Sequence, residues 1–185
     1  MADEKKPGEL RARPKGNIFL EIGIVVMLGI LIWSLVTPML EREQQNKLLK
    51  ITRAKMKVLF QLEYQYLYVD TAYTTDLTKL TQFAKSADTT IVPDSLFRPL
   101  WRAYMRLDDR KAELENMSLS DFKKAYIDSL PINSLNGQPF IVELLTKSGR
   151  KTFNLKPSAN EDEIKWIGSV VEGEIQWDEK AELAN

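Results

Sequence analysis

A chain of 185 residues has room for one membrane segment and one small domain with a single hydrophobic core. Its 26 Lys and Arg are matched by 26 Asp and Glu, so no overall charge draws it toward nucleic acid or a membrane surface. It has no cysteine, hence no disulfide framework or thiol chemistry, and no histidine, hence neither the usual general base near neutral pH nor the commonest transition-metal ligand.

The first sixteen residues, MADEKKPGELRARPKG, are polar, mix both signs of charge and carry Pro7, Gly8, Pro14 and Gly16. That composition predicts a leader or a disordered cytoplasmic tail over residues 1–16. The stretch that follows is apolar but for one carboxylate, Glu21, near its start. Residues 18–37, at about 1.5 Å rise each, make about 30 Å of helix, the thickness of a bilayer's hydrocarbon core. A transmembrane helix over residues 17–38 is expected. A secretory signal peptide would have a shorter apolar region followed by a small-residue cleavage site, and no such site follows Val36. Lys5, Lys6, Arg11, Arg13 and Lys15 upstream are answered by Arg42, Lys47, Lys50, Arg53, Lys55 and Lys57 downstream, so charge alone does not set the topology. Glu21 lies within about one turn of the helix start, where it can snorkel to the headgroups. Pro38 either ends the helix at the interface or loosens it.

Over residues 39–68 the pattern turns amphipathic. Leu48, Ile51, Val58, Leu62 and Tyr66 recur at helical steps with charges between them, and no Gly or Pro interrupts after Pro38. A helical stalk over 39–69 is expected; Lys55 on the stripe and the short repeat disfavour a heptad coiled coil. The tyrosines Tyr64, Tyr66, Tyr68 and Tyr73 are read as core and rim packing. Leu77, Leu80, Phe83 and Ala84 share a helical face up to about Ala87. Asp94 is expected to cap a helix carrying Leu100, Tyr104, Leu107 and Leu114. Ser120 is expected to cap another over 121–129, with Phe122, Ala125 and Tyr126 on one face. Arg98, Arg102, Arg106 and Arg110 stand four apart and make a basic stripe. It reads first as a solvated face balanced by nearby Asp and Glu, second as a subunit contact. Nucleic acid is disfavoured because aromatic interleaving and net charge are lacking.

The last third reads as β. Residues 140–146 and 151–155 flank a turn at Lys147-Ser-Gly-Arg150, and 164–171 and 174–177 flank Glu172-Gly173, giving two hairpins and three or four short antiparallel strands. The acidic groups Glu161-Asp162-Glu163 and Asp178-Glu179 lack the alternating ligand spacing of a calcium loop and read as solvated edges. No metal site or cofactor is expected. Nor is an enzyme: no Ser/His/Asp set can exist without histidine, there is no Gly-rich phosphate loop, and the scattered carboxylates show no pairing.

Lys15-Gly16, Glu21 at the fifth position beyond Gly16, the unbroken apolar run and Pro38 together resemble the N-terminus of type IV pilins and the pseudopilins of type II secretion. Leu130-Pro131, followed by Asn136-Gly137-Gln138-Pro139-Phe140, is similar to that family's approach to its sheet, with Asn136 where the family has an aromatic. The resemblance implies a peptidase cut after Gly16, Asn17 as the new and usually methylated N-terminus, Glu21 as the acidic assembly residue and Pro38 as the helix-interrupting proline. Asn17 departs from the family's usual Phe or Met. It further implies an α+β protein: a long N-terminal helix, half membrane-embedded and half amphipathic, packed on a small antiparallel β-sheet. A globular head spans 70–180 with a helical insertion at 94–129, and 181–185 form a tail. The implied function is a structural subunit of a pilus-like filament or pseudopilus in the inner (cytoplasmic) membrane, single-pass, with its head outside the cytoplasm. The implied partners are copies of itself or related pilin-like subunits, the prepilin peptidase, an inner-membrane assembly platform and the lipid bilayer, with no nucleic acid. The alternative is an unprocessed single-pass scaffold or accessory subunit of another membrane complex.

Overall fold

The computed structural model describes residues 18–107, 109–147 and 149–177. The fold is α+β, and the chain divides into two compact units, Met1–Arg42 and Glu43–Asn185. Helix α1, Ile18–Asp70, contributes to both. It is helical through Pro38, so the proline does not end it. Pro38 cannot donate to the carbonyl of Ser34, and the Ser34 and Thr37 hydroxyls donate to Leu31 O at 3.0 Å and Trp33 O at 2.9 Å. Such hydroxyl back-bonding beside a missing amide marks a point where a helix bends easily.

In the second unit, α1 is the centre of the core. Ile51, Val58 and Leu62 are buried as the periodicity predicts, but so are Thr52, Ala54, Lys55, Met56, Leu59 and Glu63. At 100° per residue these positions cover well over half the helix circumference, so the head wraps the helix more than a single stripe would require. Leu48 of the expected stripe is only partly buried. Lys55, 3% exposed, is accommodated because its ammonium donates to Ile132 O at 2.9 Å.

Helix α2, Leu77–Ser86, is started by Asp76, whose carboxylate accepts from the Thr78 and Lys79 amides, and it buries Leu77, Leu80, Thr81 and Ala84. The helical insertion is more broken than its apolar spacing suggests. A 3₁₀ turn, Asp94–Phe97, leads into α3, Arg98–Tyr104, then α4, Lys111–Glu115, and α5, Leu119–Tyr126. Asp94 does not cap: it sits inside the 3₁₀ turn, 3.4 Å from the Lys123 ammonium. Helix α5 starts at Ser118, not Ser120, because the Ser118 hydroxyl accepts from the Asp121 amide at 3.2 Å, the spacing an N-cap requires. Phe122 and Tyr126 stack with centroids 4.5 Å apart, while Ala125 is exposed and Lys123 takes the inward position. Lys123 donates to Val92 O at 3.0 Å and lies 5.8 Å from the Phe97 ring centroid, partners that make its burial affordable.

The sheet is a four-stranded antiparallel meander in chain order: β1 Phe140–Lys147, β2 Arg150–Pro157, β3 Val170–Val171 and β4 Glu174–Ile175. Alternation puts Phe140, Val142, Phe153, Leu155 and Pro157 inward, in register as Phe140↔Pro157 and Val142↔Leu155. Phe153 joins the sheet to α1, its ring 6.0 Å from those of Phe60 and Tyr64 and 5.0 Å from that of Tyr73. The β3–β4 turn has Glu172 at φ 54° and Gly173 at φ 77°, both left-handed as a two-residue hairpin of this twist demands. The strand expected over 164–171 is mostly a helix, α6, Glu161–Ile167, and only Val170–Val171 pairs as β3. Asn160 accepts from the Glu163 amide at 2.8 Å and Glu163 reaches back to the Asn160 amide, a capping box that outweighs the run of apolar residues behind it. Of the acidic groups, Glu161, Asp162 and Glu163 therefore form the first turn of a helix; Asp178 and Glu179 lie outside the described residues.

Candidate functional site

The first unit presents a long run of exposed apolar side chains. Every described side chain over residues 19–36 is exposed, from Phe19 at 84% to Val36 at 46%, and the helix is long and apolar enough to cross a membrane. Glu21 is the acidic residue of its first turn, where a carboxylate complements the helix dipole. Pro38 lies further along the same helix, beside the hydroxyl-to-carbonyl bonds of Ser34 and Thr37. Gly16 and Asn17, the expected processing residues, lie outside the described residues. The structure therefore places Glu21 and Pro38 on one continuous helix and, among the described residues, brings neither to a second functional group.

The second unit holds a surface groove of about 340 Å³. One wall is the face of α1 carrying Lys50, Arg53 and Lys57, at spacings of three and four residues that align on a helix. The other wall carries Arg98 and Arg102 of α3 and Arg106 just beyond it. Ala54, Pro99, Ala103 and Trp177 give it an apolar lining, and none of the described residues that line it is a carboxylate. Trp177 is seated there by Gly168: a Cβ at Gly168 would stand 2.7 Å from the indole, and its φ of 96° suits glycine. Arg53 ties the end of α6 to this wall, donating to Ile167 O at 2.7 Å and Trp166 O at 2.9 Å.

The expected stripe of arginines is thus divided. Arg110 leaves the row at the start of α4 and meets Asp109 at 3.9 Å and Glu113 at 3.6 Å. Arg98, Arg102 and Arg106 are exposed, and none makes a side-chain hydrogen bond or ion pair with a described residue. Among the described residues, the carboxylates expected from sequence to balance the stripe meet Arg110 alone. The apposition of the α1 cations with this row joins residues about fifty positions apart, and no local spacing signals it.

A second feature absent from the sequence reading is Glu63. It is 1% exposed, accepts from the Thr74 amide at 3.2 Å through one oxygen, and its other oxygen has no hydrogen-bond partner among the described residues. Burial pushes its carboxyl up to about 7, against the pull of the Thr74 amide. Lys55, two turns away, is pushed down to about 8 by burial. Asn133 is fully buried and fastens the approach to the sheet onto α1, its Oδ1 accepting from Thr52 Oγ1 at 2.9 Å and the Leu135 amide at 3.0 Å. Among the described residues no group of three or more acidic side chains is arranged to hold a metal ion. Comparison with protein-family models, with curated proteins and with solved structures gives no match.

Proposed function

We propose that this chain is a structural subunit of a type IV pilus-like filament or type II secretion pseudopilus, anchored by residues 17–38 in the inner membrane with its head outside the cytoplasm. The observation that carries this reading is the apolar half of α1, exposed on all sides with a single carboxylate in its first turn. At about 25 cal/mol per Å² such a surface is far too costly to leave in water, so it needs lipid or other apolar helices around it. A helix that can exchange one cover for the other is what an extractable filament subunit requires. The folded second unit, with four strands wrapped on the distal part of α1, supplies the head.

In this reading the prepilin peptidase cuts after Gly16, the new α-amine at Asn17 is protonated near neutral pH, and Glu21 of a neighbouring copy or related subunit receives it. At about 4 Å and an effective dielectric of about 20 the gross attraction is about 4 kcal/mol, from which desolvation is subtracted. The pair sets register while apolar packing supplies adhesion. The function needs no catalysis, cofactor or nucleic acid; an assembly platform in the membrane drives extraction of the helix. The test is the intact mass and N-terminal residue of the protein purified from its native membrane. A chain beginning at Asn17, with or without one added methyl group, supports the filament reading. A chain that keeps residues 1–16 supports instead an unprocessed single-pass scaffold or accessory subunit.

A further inference from the structure

We infer that β1 is a docking edge for a second copy of this chain, the two strands pairing antiparallel about a two-fold axis at Leu145. In the sheet order β1-β2-β3-β4 this strand is terminal, and its residues pair with β2 on one side. The Phe140 amide donates to Pro131 O at 2.8 Å, away from β2, where the facing residue, Pro157, has no amide. Backbone direction alternates along a strand, so the amides and carbonyls of Val142, Leu144 and Thr146 also turn to the outer edge. Among the described residues none of these three amides has a hydrogen-bond partner. Leu144 is 46% and Leu145 37% exposed, and Thr146 and Lys147 are exposed beside them, so the edge is open to solvent. Edge strands are commonly protected by a proline, a bulge or extreme shortness. β1 has none of these: it contains no proline, and its register with β2 is unbroken from Phe140 to Lys147.

The charges of β1 select its own copy as the occupant. Ile141, Glu143, Leu145 and Lys147 alternate onto the outward face of the strand. Two outer edges that pair antiparallel must set edge-facing residues opposite one another, which allows few registers. When Leu144 faces Thr146 of the second copy, Leu145 stands against its own counterpart and Glu143 stands directly against Lys147, twice by symmetry. The neighbouring registers are worse: centring on Glu143 opposes two like charges, and centring on Leu144 sets both charges against apolar residues. Leu145 then occupies a position without cross-strand hydrogen bonds, where facing side chains come closest. Glu143 meets Lys156 at 2.6 Å and Lys147 meets Glu172 at 2.6 Å, so the new pairs would extend these into one row of alternating charge across both sheets. A strand from an unrelated protein would have no need of this self-complementarity. The inference does not depend on the filament reading, since β1 lies wholly within the second unit. Its test reads a contact between heads and leaves the N-terminal residue aside, so either reading can fail alone.

The test exploits a chain without cysteine. Full-length Leu145→Cys and Ile141→Cys chains in detergent micelles are mildly oxidised, and the disulfide dimer is measured on a non-reducing gel. The two positions share a face and are 37% and 38% exposed, so random collision would cross-link them equally. Pairing about Leu145 brings the 145 positions together and leaves the 141 positions about 27 Å apart, so at least about tenfold more dimer is expected at 145. In the Leu145→Cys background, Glu143→Lys or Lys147→Glu alone should lower the yield about threefold or more, while the double reversal, or a mixture of the two single-reversal chains, should restore it. The double reversal also breaks the pairs with Lys156 and Glu172, so loss of those pairs by itself predicts no recovery. These side chains are exposed or half-buried, and the variants should melt as the parent does. If a Cys variant melts early, the same charge cycle is followed by sedimentation equilibrium on the cysteine-free chain, where it must show the same loss and recovery. Equal dimer at both positions, no dimer at 145, single reversals without effect, or a loss that the double reversal does not recover overturns the inference. So does dimer that emerges only when the chain is cut after Trp177, because the edge would then be the seat of the chain's own C-terminal residues.

Discussion

Glu63 shows how one residue can couple this fold to pH. Its carboxyl is held up to about 7 by burial, while the unfolded chain would ionise it near the ordinary value of 4.5. Between those values the folded protein holds a proton that the unfolded chain has released, so stability is greatest at low pH and falls as pH rises toward 7. Lys55, held down to about 8 from 10.5, acts in the other direction: its contribution is lost as pH falls through 8, so across pH 5–7 its effect is constant. Tyr66, which donates to Asp70, and Tyr73 stand near Glu63, and both phenols are pushed up, so neither titrates in that window. Glu63→Gln keeps the acceptor for the Thr74 amide and removes the titration. Its melting temperature in detergent should be nearly flat from pH 5 to pH 7, and above pH 7 it should exceed that of the parent chain. A parent-like slope in the variant would assign the pH dependence to another group. Lys55 is legible in the sequence because it interrupts an apolar stripe; Glu63 is not, because the Thr74 amide that meets it lies eleven residues further on, beyond the end of α1, which no local pattern around Glu63 reveals.

At the scale of elements, what was legible followed the period of the signal. The 3.6-residue repeat of Ile51, Val58 and Leu62 predicted the stalk helix, and alternation with turns at Gly149 and Gly173 predicted the two hairpins. The misreading fell on α6, whose seven residues are too few for periodicity to distinguish from a strand. The readable signal there is Asn160-x-x-Glu163, a capping box, which competes with the β-like apolar run of Ile164, Trp166 and Ile167. Since a helix this short depends heavily on its cap, Asn160→Ala should destabilise the second unit by about 1 kcal/mol, read as a lower denaturation midpoint with unchanged slope. Asn160→Ser should recover most of that loss. The groove lay further from view. Four arginines at equal spacing suggested one continuous helix, but the chain turns after Tyr104, which sends Arg110 to Asp109 and Glu113 and leaves the other three facing α1.

At the scale of the molecule, the two units divide the physical work. The first carries almost no internal burial and depends on an environment outside the chain, whereas the second buries its own core from Leu49 to Val170. This division makes the role of Glu21 testable without disturbing the head. Removing a carboxylate from an apolar helix makes membrane insertion easier, because an acidic side chain opposes transfer while alanine is nearly neutral. A role in snorkelling alone therefore predicts that Glu21→Ala inserts and assembles at least as well as the parent. A role in receiving the Asn17 amine of a neighbour predicts insertion unchanged and assembly lost. The measurement pairs membrane fractionation with the yield of sheared or cross-linked filaments in cells that express the variant, and the melting of its head serves as the control for folding. Glu21→Gln sharpens the choice, since it keeps shape and hydrogen bonding but not charge. Assembly retained in Gln but not in Ala would assign Glu21 a hydrogen-bonding role, while loss in both, with insertion intact, is the outcome the filament proposal requires.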